Sequence, residues 1–348
     1  MIKSPFARNV LIRNAIWSAI YARMKVDPRI YCLGEGAGMK VHYDAPEIER
    51  EFPERVLTLP ISEDGNSNFA VGMALAGLVP VVDVIVSDFG YRTMDSICNT
   101  AAKMAEVGPA RTVVFRMEFF TAGPTTGQRT EALFTHIPGL NVVVPSNPAD
   151  AYGLMASALE HPGVTVFFED RMIADATTSE DDSHYLVSLG EAVQQGGPYL
   201  VDPEMWKGLE PVRFAGPLPA RTRNPGSRLT VVSYGLTLRQ LDGLLAGKDY
   251  ELIDLRTLYP LDMATVVASV RRTHALLFVE PDVQHGGVGA EVVAAVAEAV
   301  PGCRVARLGA PRVGIPASHD LQHHMLPSDQ QILARAAELA YPDGEQWA

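Results

Sequence analysis

Short apolar runs alternate with longer amphipathic stretches along the first 170 residues of the chain. The short runs are typical of buried strands, whereas apolar positions in the longer stretches recur at helical spacing. We expect strands at 30–33, 56–59, 79–86, 112–116, 141–145 and 164–168, and helices at 7–26, from 44, at 69–78, 91–107 and 148–159. Strands this apolar indicate a parallel sheet covered by helices on both faces.

The same alternation returns in the C-terminal third, after a segment of different composition. Residues 171–227 contain an acidic run (SEDDS) and runs rich in glycine and proline, which predict a connector with little core of its own. Beyond it we expect strands at 229–234, 252–255, 275–279 and 304–308, and helices near 238–245, 264–272, 291–300 and 330–339. The prediction is an α/β chain with two doubly wound domains, 1–175 and 228–348, joined by a connector at 176–227.

Composition narrows the classes of function. The 348 residues suffice for two domains with buried cores, and the net charge of −12 argues against binding to nucleic acid or to an anionic membrane surface. No apolar run approaches the length of a membrane span, and the first residues lack the features of a secretory signal. Cys32, Cys98 and Cys303 lie in largely apolar contexts and are expected to be reduced, which favours a cytoplasmic protein.

Two glycine-rich runs and a histidine cluster are candidates for chemistry. The run at 34–38 (GEGAG) lacks the third glycine of a dinucleotide-binding motif, so a tight turn is its expected role. The run at 286–289 (GGVG) opens a helix, where it either admits an anion or allows close packing. His319 and His323 are four residues apart, but flanking prolines disfavour a long helix, and no metal site is predicted there.

Glu63 is a stronger candidate. It follows the predicted strand 56–59 and precedes an apolar helix, which places a carboxylate at the carboxyl edge of a parallel sheet, where open α/β folds bind ligands. Partial burial there raises the pKa of a carboxyl group and suits proton exchange with a ligand nitrogen. Spacing alone leaves open a simpler role, in which Ser62, Glu63 or Asp64 caps the helix.

Several longer segments resemble one enzyme family. They are LGEGAG (33–38), RVLTLPISEDG (55–65), FAVGMALAGLVPVVDV (69–84), DFGYRTMDSICNTAAK (88–103), HIPGLNVVVPSNPADAYGLM (136–155), LIDLRTLYPLDMATVVASVRRTHALLFVE (252–280), GGVGAEV (286–292) and APRVGIP (310–316). In this order the chain resembles the β subunits of thiamine-diphosphate-dependent decarboxylase components of 2-oxo-acid dehydrogenase complexes, in the transketolase-like superfamily. The resemblance implies an N-terminal pyrimidine-binding domain and a C-terminal transketolase-type domain.

The resemblance also implies roles for three residues. Glu63 matches the glutamate that hydrogen-bonds the aminopyrimidine ring of the cofactor and favours the tautomer that takes the thiazolium proton. Phe89 matches the aromatic residue that stacks on this ring. Glu35 matches an acidic position at the cofactor site whose expected role is mainly structural.

The family holds magnesium and the diphosphate with a G-D-G…N-N motif, and no G-D-G occurs in this chain. The chain is therefore expected to supply half of an active site, without metal ligands of its own. The resemblance implies an α subunit that carries the diphosphate domain, in an α2β2 assembly acting on a small 2-oxo acid. Small residues at Ser96, Ala101 and Ala102 make the helix predicted at 91–107 a candidate contact for that partner.

The loop that receives the acyl acceptor departs from the family pattern. Thr126 occupies a position where the family has a histidine. That histidine resembles the residue that donates a proton during transfer of the acyl unit to lipoyl groups. A threonine hydroxyl does not titrate near neutral pH, so this role is lost or supplied by the partner. Gln128 and His136 follow the pattern, and a structural role is expected for His136. His161 stands where aspartate or asparagine often holds a monovalent cation in the family.

Three hypotheses for the function follow. The first is decarboxylation of a 2-oxo acid with transfer of the acyl unit to the lipoyl group of an acyltransferase. The second is a specialised carboligase or acyltransferase with another acceptor, which the change at Thr126 favours. The third is a scaffold subunit without catalysis, against which Glu63 and Phe89 argue, because a scaffold has no need of that pair.

Overall fold

The computed structural model describes residues 12–35, 45–108, 111–119, 126–170, 220–318, 321–322 and 324–341. The helices of the first region are α1 (Ile12–Val26), α2 (Pro46–Glu51), α3 (Glu63–Leu75), α4 (Gly90–Met94), α5 (Ala102–Val107), α6 (Glu131–Thr135) and α7 (Pro148–Glu160). Its strands are β1 (Ile30–Glu35), β2 (Val56–Leu59), β3 (Val79–Val86), β4 (Thr112–Phe119), β5 (Leu140–Val143) and β6 (Gly163–Asp170). A π-helical segment, Asp95–Ala101, joins α4 to α5.

These six strands form a parallel sheet in the order β5-β6-β4-β3-β1-β2. One face is covered by α1 and α7, whose apolar side chains pack around Trp17 and Phe167. The other face is covered by α3 and the long helical stretch beginning with α4, around Phe115 and Phe134. The sheet is therefore buried on both faces, as the apolar strands predict.

The second region begins earlier than predicted. It contains β7 (Arg221–Asn224), β8 (Leu229–Ser233), α8 (Gly235–Leu244), β9 (Tyr250–Asp254), β10 (Thr257–Tyr259), α9 (Met263–Thr273), β11 (Ala275–Val283), α10 (Val288–Ala299), β12 (Arg304–Ala310) and α11 (Asp329–Ala340). Its sheet has the order β12-β11-β8-β9-β7, in which only β7 is antiparallel to its neighbour. Strand β7 lies inside the predicted connector, where polar side chains gave no strand signal. Residues 171–219 lie outside the described part of the chain.

Strand β10 links the two regions and was not predicted. It leaves the second region to pair antiparallel with β5, so that the first sheet has seven strands. Across the same boundary, Arg256 lies 3.0 Å from the Asp150 carboxylate, and Ser146 donates a 2.9 Å hydrogen bond to Asp254. The largest apolar core also contains side chains of both regions, such as Phe134 and Tyr234. The regions are thus packed against each other at the carboxyl side of the first sheet.

Most predicted elements are present, with differences at their ends. Helix α3 begins at Glu63 instead of 69, because its polar first turns carry no apolar periodicity. Strand β1 continues through Gly34 to Glu35, beyond its predicted end at 33. The helix predicted at 91–107 contains the π-helical segment, which no sequence pattern indicated.

In the described ranges, no helix has the length and apolar content needed to cross a membrane.

Candidate functional site

Glu35 and Glu63 meet at the carboxyl edge of the first sheet. Strands β1 and β2 are parallel neighbours, with Glu35 opposite Leu59, so that both strands end beside the start of α3. The Glu35 carboxylate is buried and accepts a 2.5 Å hydrogen bond from the backbone N–H of Ser62. Burial raises the pKa of Glu35; the Ser62 hydrogen bond opposes this shift, and the nearby Glu63 carboxylate adds to it. Glu35 therefore holds the loop from which Glu63 projects.

Gly34 explains part of the glycine-rich run. Its φ is +140°, and a Cβ atom there would lie 2.4 Å from the carbonyl oxygen of Asp83 in the neighbouring strand β3. Only glycine allows this backbone conformation and this close approach. Gly34 thus lets β1 approach β3 and carry Glu35 to the sheet edge, while residues 36–38, and with them the predicted turn, lie outside the described part of the chain.

Glu63 is the first residue of α3 and is half-buried. Ser62 occupies the N-cap position, but its side chain makes no capping hydrogen bond. Within the described ranges, the Glu63 carboxylate has no hydrogen-bond partner, although the positive end of the helix dipole favours a negative charge there. The capping alternative thus finds no support in side-chain hydrogen bonds of Ser62 or Glu63, and a free carboxylate remains at the sheet edge.

The first turn of α3 is fixed by the π-helical segment. The Ser96 hydroxyl donates a short hydrogen bond to Asp64, and Asn68 Nδ2 donates to Ser96 Oγ over 2.8 Å. Ser96, Ala101 and Ala102 are all buried in the chain's own core. These three small residues therefore pack inside the chain's own fold, and the contact of the helical stretch 91–107 with a partner stays a prediction.

A bulge in β3 precedes Phe89. The pairing of β3 with β4 shifts between Asp83 and Ile85, and Ile85 has a φ of 73°. This backbone conformation is rare for a β-branched residue, and Asp83 stabilises it by accepting a 3.0 Å hydrogen bond from Ile85 N–H. The chain then enters the short 3-10 turn Ser87–Phe89, which leaves the Phe89 ring half-buried against the main core. Phe89 thus lies at the carboxyl end of the strand next to β1.

Gln128 is anchored beside Phe89. Its backbone N–H and its Nε2 each donate a 3.1 Å hydrogen bond to the Asp88 carboxylate. Burial raises the pKa of Asp88, and these two hydrogen bonds oppose the shift. Thr126, two residues earlier, is half-buried. The structure therefore brings the start of the predicted acceptor loop to the strand end that carries Phe89.

His136 is separate from this group. It follows the end of α6, its side chain is exposed, and it makes no contact with the other predicted site residues in the described part of the chain. His161, the other departure from the family pattern, follows α7, and its ring lies 3.1 Å from the carbonyl oxygen of Ser157. His136 and His161 therefore lie at the C-terminal ends of two helices of the first region.

The second region contributes a carboxyl group that was not predicted. Burial raises the pKa of the Tyr91 phenol, and the nearby Asp88 and Asp282 carboxylates raise it further. Asp282 lies near the end of β11, so the second sheet reaches the edge that carries Phe89. Asp88 stands directly before Phe89 in the DFGYRT segment, and this adjacency is the signal that could have identified it. No local sequence pattern indicates a role for Asp282, because the residues that interact with it, such as Tyr91, belong to the other region.

A buried polar cluster lies under this boundary. Arg129 lies 2.8 Å from Glu131 and 2.9 Å from Asp170, and its guanidinium is 3.6 Å from the centre of the Phe119 ring. Tyr234 from the second region donates a 3.3 Å hydrogen bond to Glu131. Burial disfavours the charge of Arg129, but Glu131 and Asp170 outweigh this cost and raise its pKa. Among described residues, Arg129 Nη2 and Glu131 Oε2 have no hydrogen-bond partner.

Two further carboxyl groups border this cluster. Burial raises the pKa of Asp282 to about 8, and repulsion from Glu131 adds to the shift. Burial likewise raises the pKa of Glu280 to about 7, while a hydrogen bond from Gly289 N–H opposes it. Arg129 is thus shared among Glu131, Asp170 and Asp282, while the charge of Arg307 opposes the rise in the pKa of Glu280. Such an excess of acids favours proton uptake at the domain boundary.

The Glu280 carboxylate also explains the second glycine-rich run. It accepts a 3.1 Å hydrogen bond from Gly289 N–H in the first turn of α10. A Cβ atom on Gly287 would lie 2.5 Å from its Oε2 atom. The chain's own carboxylate therefore occupies the start of this helix. Of the two roles the sequence left open, close packing is the one observed.

The described residues match one end of a thiamine diphosphate molecule. A half-buried carboxylate without a partner (Glu63) and an aromatic ring (Phe89) are the groups that an aminopyrimidine needs for a hydrogen bond and a stacking contact. The diphosphate end needs a magnesium ion with hard oxygen ligands. In the described ranges, no three His, Cys, Asp or Glu side chains are arranged to hold a metal ion. His319 and His323 lie outside these ranges.

Comparison with known families supports both domains. Residues 8–175 match the transketolase pyrimidine-binding domain, and residues 219–332 match the transketolase C-terminal domain. In a solved structure, a split-gene transketolase described as an inactive β4 tetramer covers 95% of this chain and 99% of its own. Its TM-score is 0.72 at 20% sequence identity, which shows the fold. The predicted two-domain α/β fold class is confirmed.

Two curated relatives match over most of their length. The subunit beta-2 of the pyruvate dehydrogenase E1 component from Oryza sativa subsp. japonica is 30% identical over 356 residues, which cover 97% of this chain and 88% of that protein. The beta subunit of acetoin:2,6-dichlorophenolindophenol oxidoreductase from Cupriavidus necator is 30% identical, over 95% of this chain and 97% of that protein. The chain therefore belongs to the transketolase-like family of β subunits found in pyruvate and acetoin dehydrogenases.

Proposed function

We propose that this chain is the β half of a thiamine-diphosphate-dependent enzyme that decarboxylates a small 2-oxo acid and transfers the resulting acyl unit. The observation that carries the proposal is the unpartnered, half-buried Glu63 at the start of α3, held beside Glu35 at the sheet edge. Membership of the β-subunit family supports the same activity.

In this proposal Glu63 holds and exchanges a proton with the ring nitrogen of the aminopyrimidine. When bound, thiamine diphosphate supplies the carbon nucleophile that attacks the 2-oxo acid. The neighbouring Glu35 carboxyl stays in place through its hydrogen bond to Ser62, so that the position of Glu63 is fixed before the cofactor arrives. The Phe89 ring orients the aminopyrimidine by stacking against its face.

We further propose that an α subunit completes the site. The missing G-D-G motif, together with membership of a family of β subunits, supports a partner that holds magnesium and the diphosphate. The expected assembly is α2β2, with the cofactor between the two kinds of chain. Exposed apolar residues around α3, such as Ile61 and Phe69, support a covered surface near Glu63.

The proposed acceptor is the lipoyl group of an acyltransferase, as the family resemblance implies. A specific observation favours a second candidate, an acceptor other than lipoyl. Thr126 provides a hydroxyl where the family uses a histidine, and the anchoring of Gln128 on Asp88 holds this part of the loop near Phe89. A hydroxyl can orient an acceptor by hydrogen bonding but does not supply a proton near neutral pH.

Reconstitution with the α partner tests this function. The β chain and the α chain are copurified, and a panel of 2-oxo acids is assayed for CO2 release with and without lipoamide. The proposal expects turnover of at least one 2-oxo acid by the complex and none by the β chain alone. Full activity of the isolated β chain, or no turnover by the loaded complex, would contradict it.

The variant Thr126→His separates the two acceptors. If lipoyl is the acceptor and the partner supplies the proton, the variant should change lipoamide reduction by less than about threefold. If another acceptor is used, the variant should increase lipoamide reduction much more than it changes CO2 release. An equal loss of both reactions by well over threefold would contradict the role assigned to this loop.

We also propose a cytoplasmic location. The cysteines support it, because Cys32, Cys98 and Cys303 are all free and Cys32 is buried. Burial raises the pKa of Cys32 to about 12, which keeps this thiol protonated and unreactive.

A further inference from the structure

A cleft of about 520 Å³ opens at the carboxyl edge of the second sheet. Its walls come from three segments: the residues after β11, the end of β12 with the loop that follows it, and the turn before α11. In open α/β sheets, ligands bind outside the carboxyl ends of the strands. A volume of this size is in the range that accommodates small organic ligands.

The charged lining of the cleft is entirely basic. Arg307, Arg312, His285 and His324 line it, and no aspartate or glutamate is among the described residues that do so. The chain as a whole carries a net charge of −12, with 41 acidic and 29 basic residues. A basic cleft in such an acidic protein indicates a site for an anion.

Arg307 is held in place by the fold. Its Nη1 atom donates a 2.7 Å hydrogen bond to the backbone carbonyl of Gln284, which also lines the cleft. The acidic side chain behind it, Glu280, is fully buried and is bound by Gly289 N–H. Arg307 therefore keeps further N–H donors on a positioned guanidinium, and Glu280 does not line the cleft.

The rest of the lining is mainly apolar. Leu308, Met325 and Leu326 form much of it, together with Pro311 and Pro327. Apolar walls beside positioned cationic groups are the usual composition of a pocket for an organic anion. A bare inorganic ion would leave these walls in contact with water.

We propose that this cleft binds a phosphate monoester with an apolar body. The guanidinium groups of Arg307 and Arg312 offer more hydrogen-bond donors than the two oxygens of one carboxylate can accept, whereas a phosphate monoester presents three charged oxygens. The apolar wall of Leu308, Met325 and Leu326 takes the organic part. The described lining of the cleft comes from the second region alone, whereas Glu63 and Phe89 belong to the first region, and the proposal does not depend on their function.

The proposal gives a role to one of the histidines in the cluster at 319–324 that the sequence analysis left without a function. His324 follows His323 in the chain and lines the cleft opposite the strand ends, while His285 precedes the glycine-rich start of α10. The two histidines thus line the cleft from segments other than the one that carries Arg307 and Arg312.

Isothermal titration calorimetry of the full chain tests the proposal. The probe is phenyl phosphate, and the comparison ligands are inorganic phosphate, benzoate and phenol, all at physiological ionic strength. Phenyl phosphate should bind more tightly than each of the other three. Tighter binding of benzoate, or equal binding of inorganic phosphate, would overturn the assignment, as would no binding of phenyl phosphate at millimolar concentration.

Variants locate the binding in the cleft. Arg307→Gln and Arg312→Gln should each weaken phenyl phosphate binding about tenfold or more, because each removes a charged hydrogen bond. Arg271→Gln, an exposed arginine on α9, is the matched control and should change the affinity less than twofold. Since Arg312 is exposed, its variant remains informative even if Arg307→Gln is poorly folded. Unchanged binding in the Arg312 variant, or binding lost in Glu63→Gln, would contradict the location.

Discussion

The two mainly parallel sheets have the same kind of architecture, but their carboxyl edges differ in charge: the first has acidic side chains and the second has basic ones. At the first edge, Glu35, Glu63 and Asp88 are acidic, and Phe89 follows Asp88 at the end of β3, the strand next to β1. At the second edge, Arg307 and Arg312 lie with two histidines in a cleft that has apolar walls. Parallel α/β sheets place ligands at these edges for reasons of topology, but the side chains at the strand ends decide which ligand binds. The first edge suits a protonated ring nitrogen and the second an anion.

The two edges also differ in how they are covered. The first edge faces the second region, whose Asp282 and Tyr234 reach Tyr91 and Glu131. The second edge meets the first region at Tyr234 and Asp282, whereas its cleft at the ends of β11 and β12 is lined, among described residues, by the second region alone. Burial at the first edge raises the pKa of several carboxyl groups, which is the property that proton transfer needs. The cleft has exposed lining residues, such as His285 and Arg312, and is accessible to a diffusing ligand.

The largest expected effect is on catalysis at the acidic edge. Glu63→Gln should lower the turnover of the reconstituted enzyme by about 100-fold to 10,000-fold, because an amide does not donate and accept a proton as a carboxyl does. Steady-state CO2 release measures the effect, and gel filtration checks that the assembly is intact. Glu54→Gln, an exposed glutamate in the same region, is the control and should be as active as the wild type. Similar rates for Glu63→Gln and the wild type would exclude a catalytic role.

The next effect is on stability at the boundary between the regions. Arg129→Met removes the charge shared by Glu131 and Asp170, and we expect a loss of about 3–5 kcal/mol in the free energy of unfolding, because buried carboxylates are left without a cation. Denaturant titration measures the loss. The exposed pair Arg335 and Glu338 gives the contrast, since Arg335→Met should cost less than about 1 kcal/mol. Equal losses would show that burial does not distinguish the two pairs.

Stability should also depend on pH through Asp282. Its pKa is about 8 in the folded chain, against the usual value of 3.8, so between these values the folded state binds more protons than the unfolded state. The free energy of unfolding should therefore fall as pH rises from 5 to about 8, and Asp282→Asn should make this dependence shallower. Asp249 is the control: hydrogen bonds from Ser227 lower its pKa, and Asp249→Asn should leave the slope in this range unchanged. An equally steep slope in Asp282→Asn would contradict the shift.

The smallest effect is on cofactor affinity. Phe89→Leu keeps apolar bulk but removes the aromatic face, and we expect thiamine diphosphate to bind the reconstituted enzyme about 2-fold to 10-fold more weakly, in line with about 0.5–1.5 kcal/mol for a ring contact. Fluorescence titration with the cofactor measures the change. Phe52→Leu, in the apolar cluster on the other face of the sheet, should not alter the affinity. A Phe89→Leu variant with wild-type affinity would argue against stacking.

Part of the candidate site was predictable because it follows from strand order in the chain. Glu35 and Glu63 come directly after two apolar strands, and parallel pairing brings such strand ends to one edge. Phe89 follows a third strand in the same way. Asp282 and Arg129 were missed because their importance depends on burial between two regions that are far apart in sequence. The bulge at Ile85 was also missed, because β-branched residues rarely adopt a positive φ and an isoleucine therefore does not predict one.

The two domains, their parallel sheets and the identity of the residues at the acidic edge were determined by the sequence itself, because hydrophobic period and strand ends are local properties. Tertiary structure alone decided the rest. It brought β10 into the first sheet, placed Asp282 beside Tyr91 and gathered four basic side chains from three segments into one cleft. These features arise from long-range packing and from the removal of water around charges. Neither leaves a pattern in neighbouring residues.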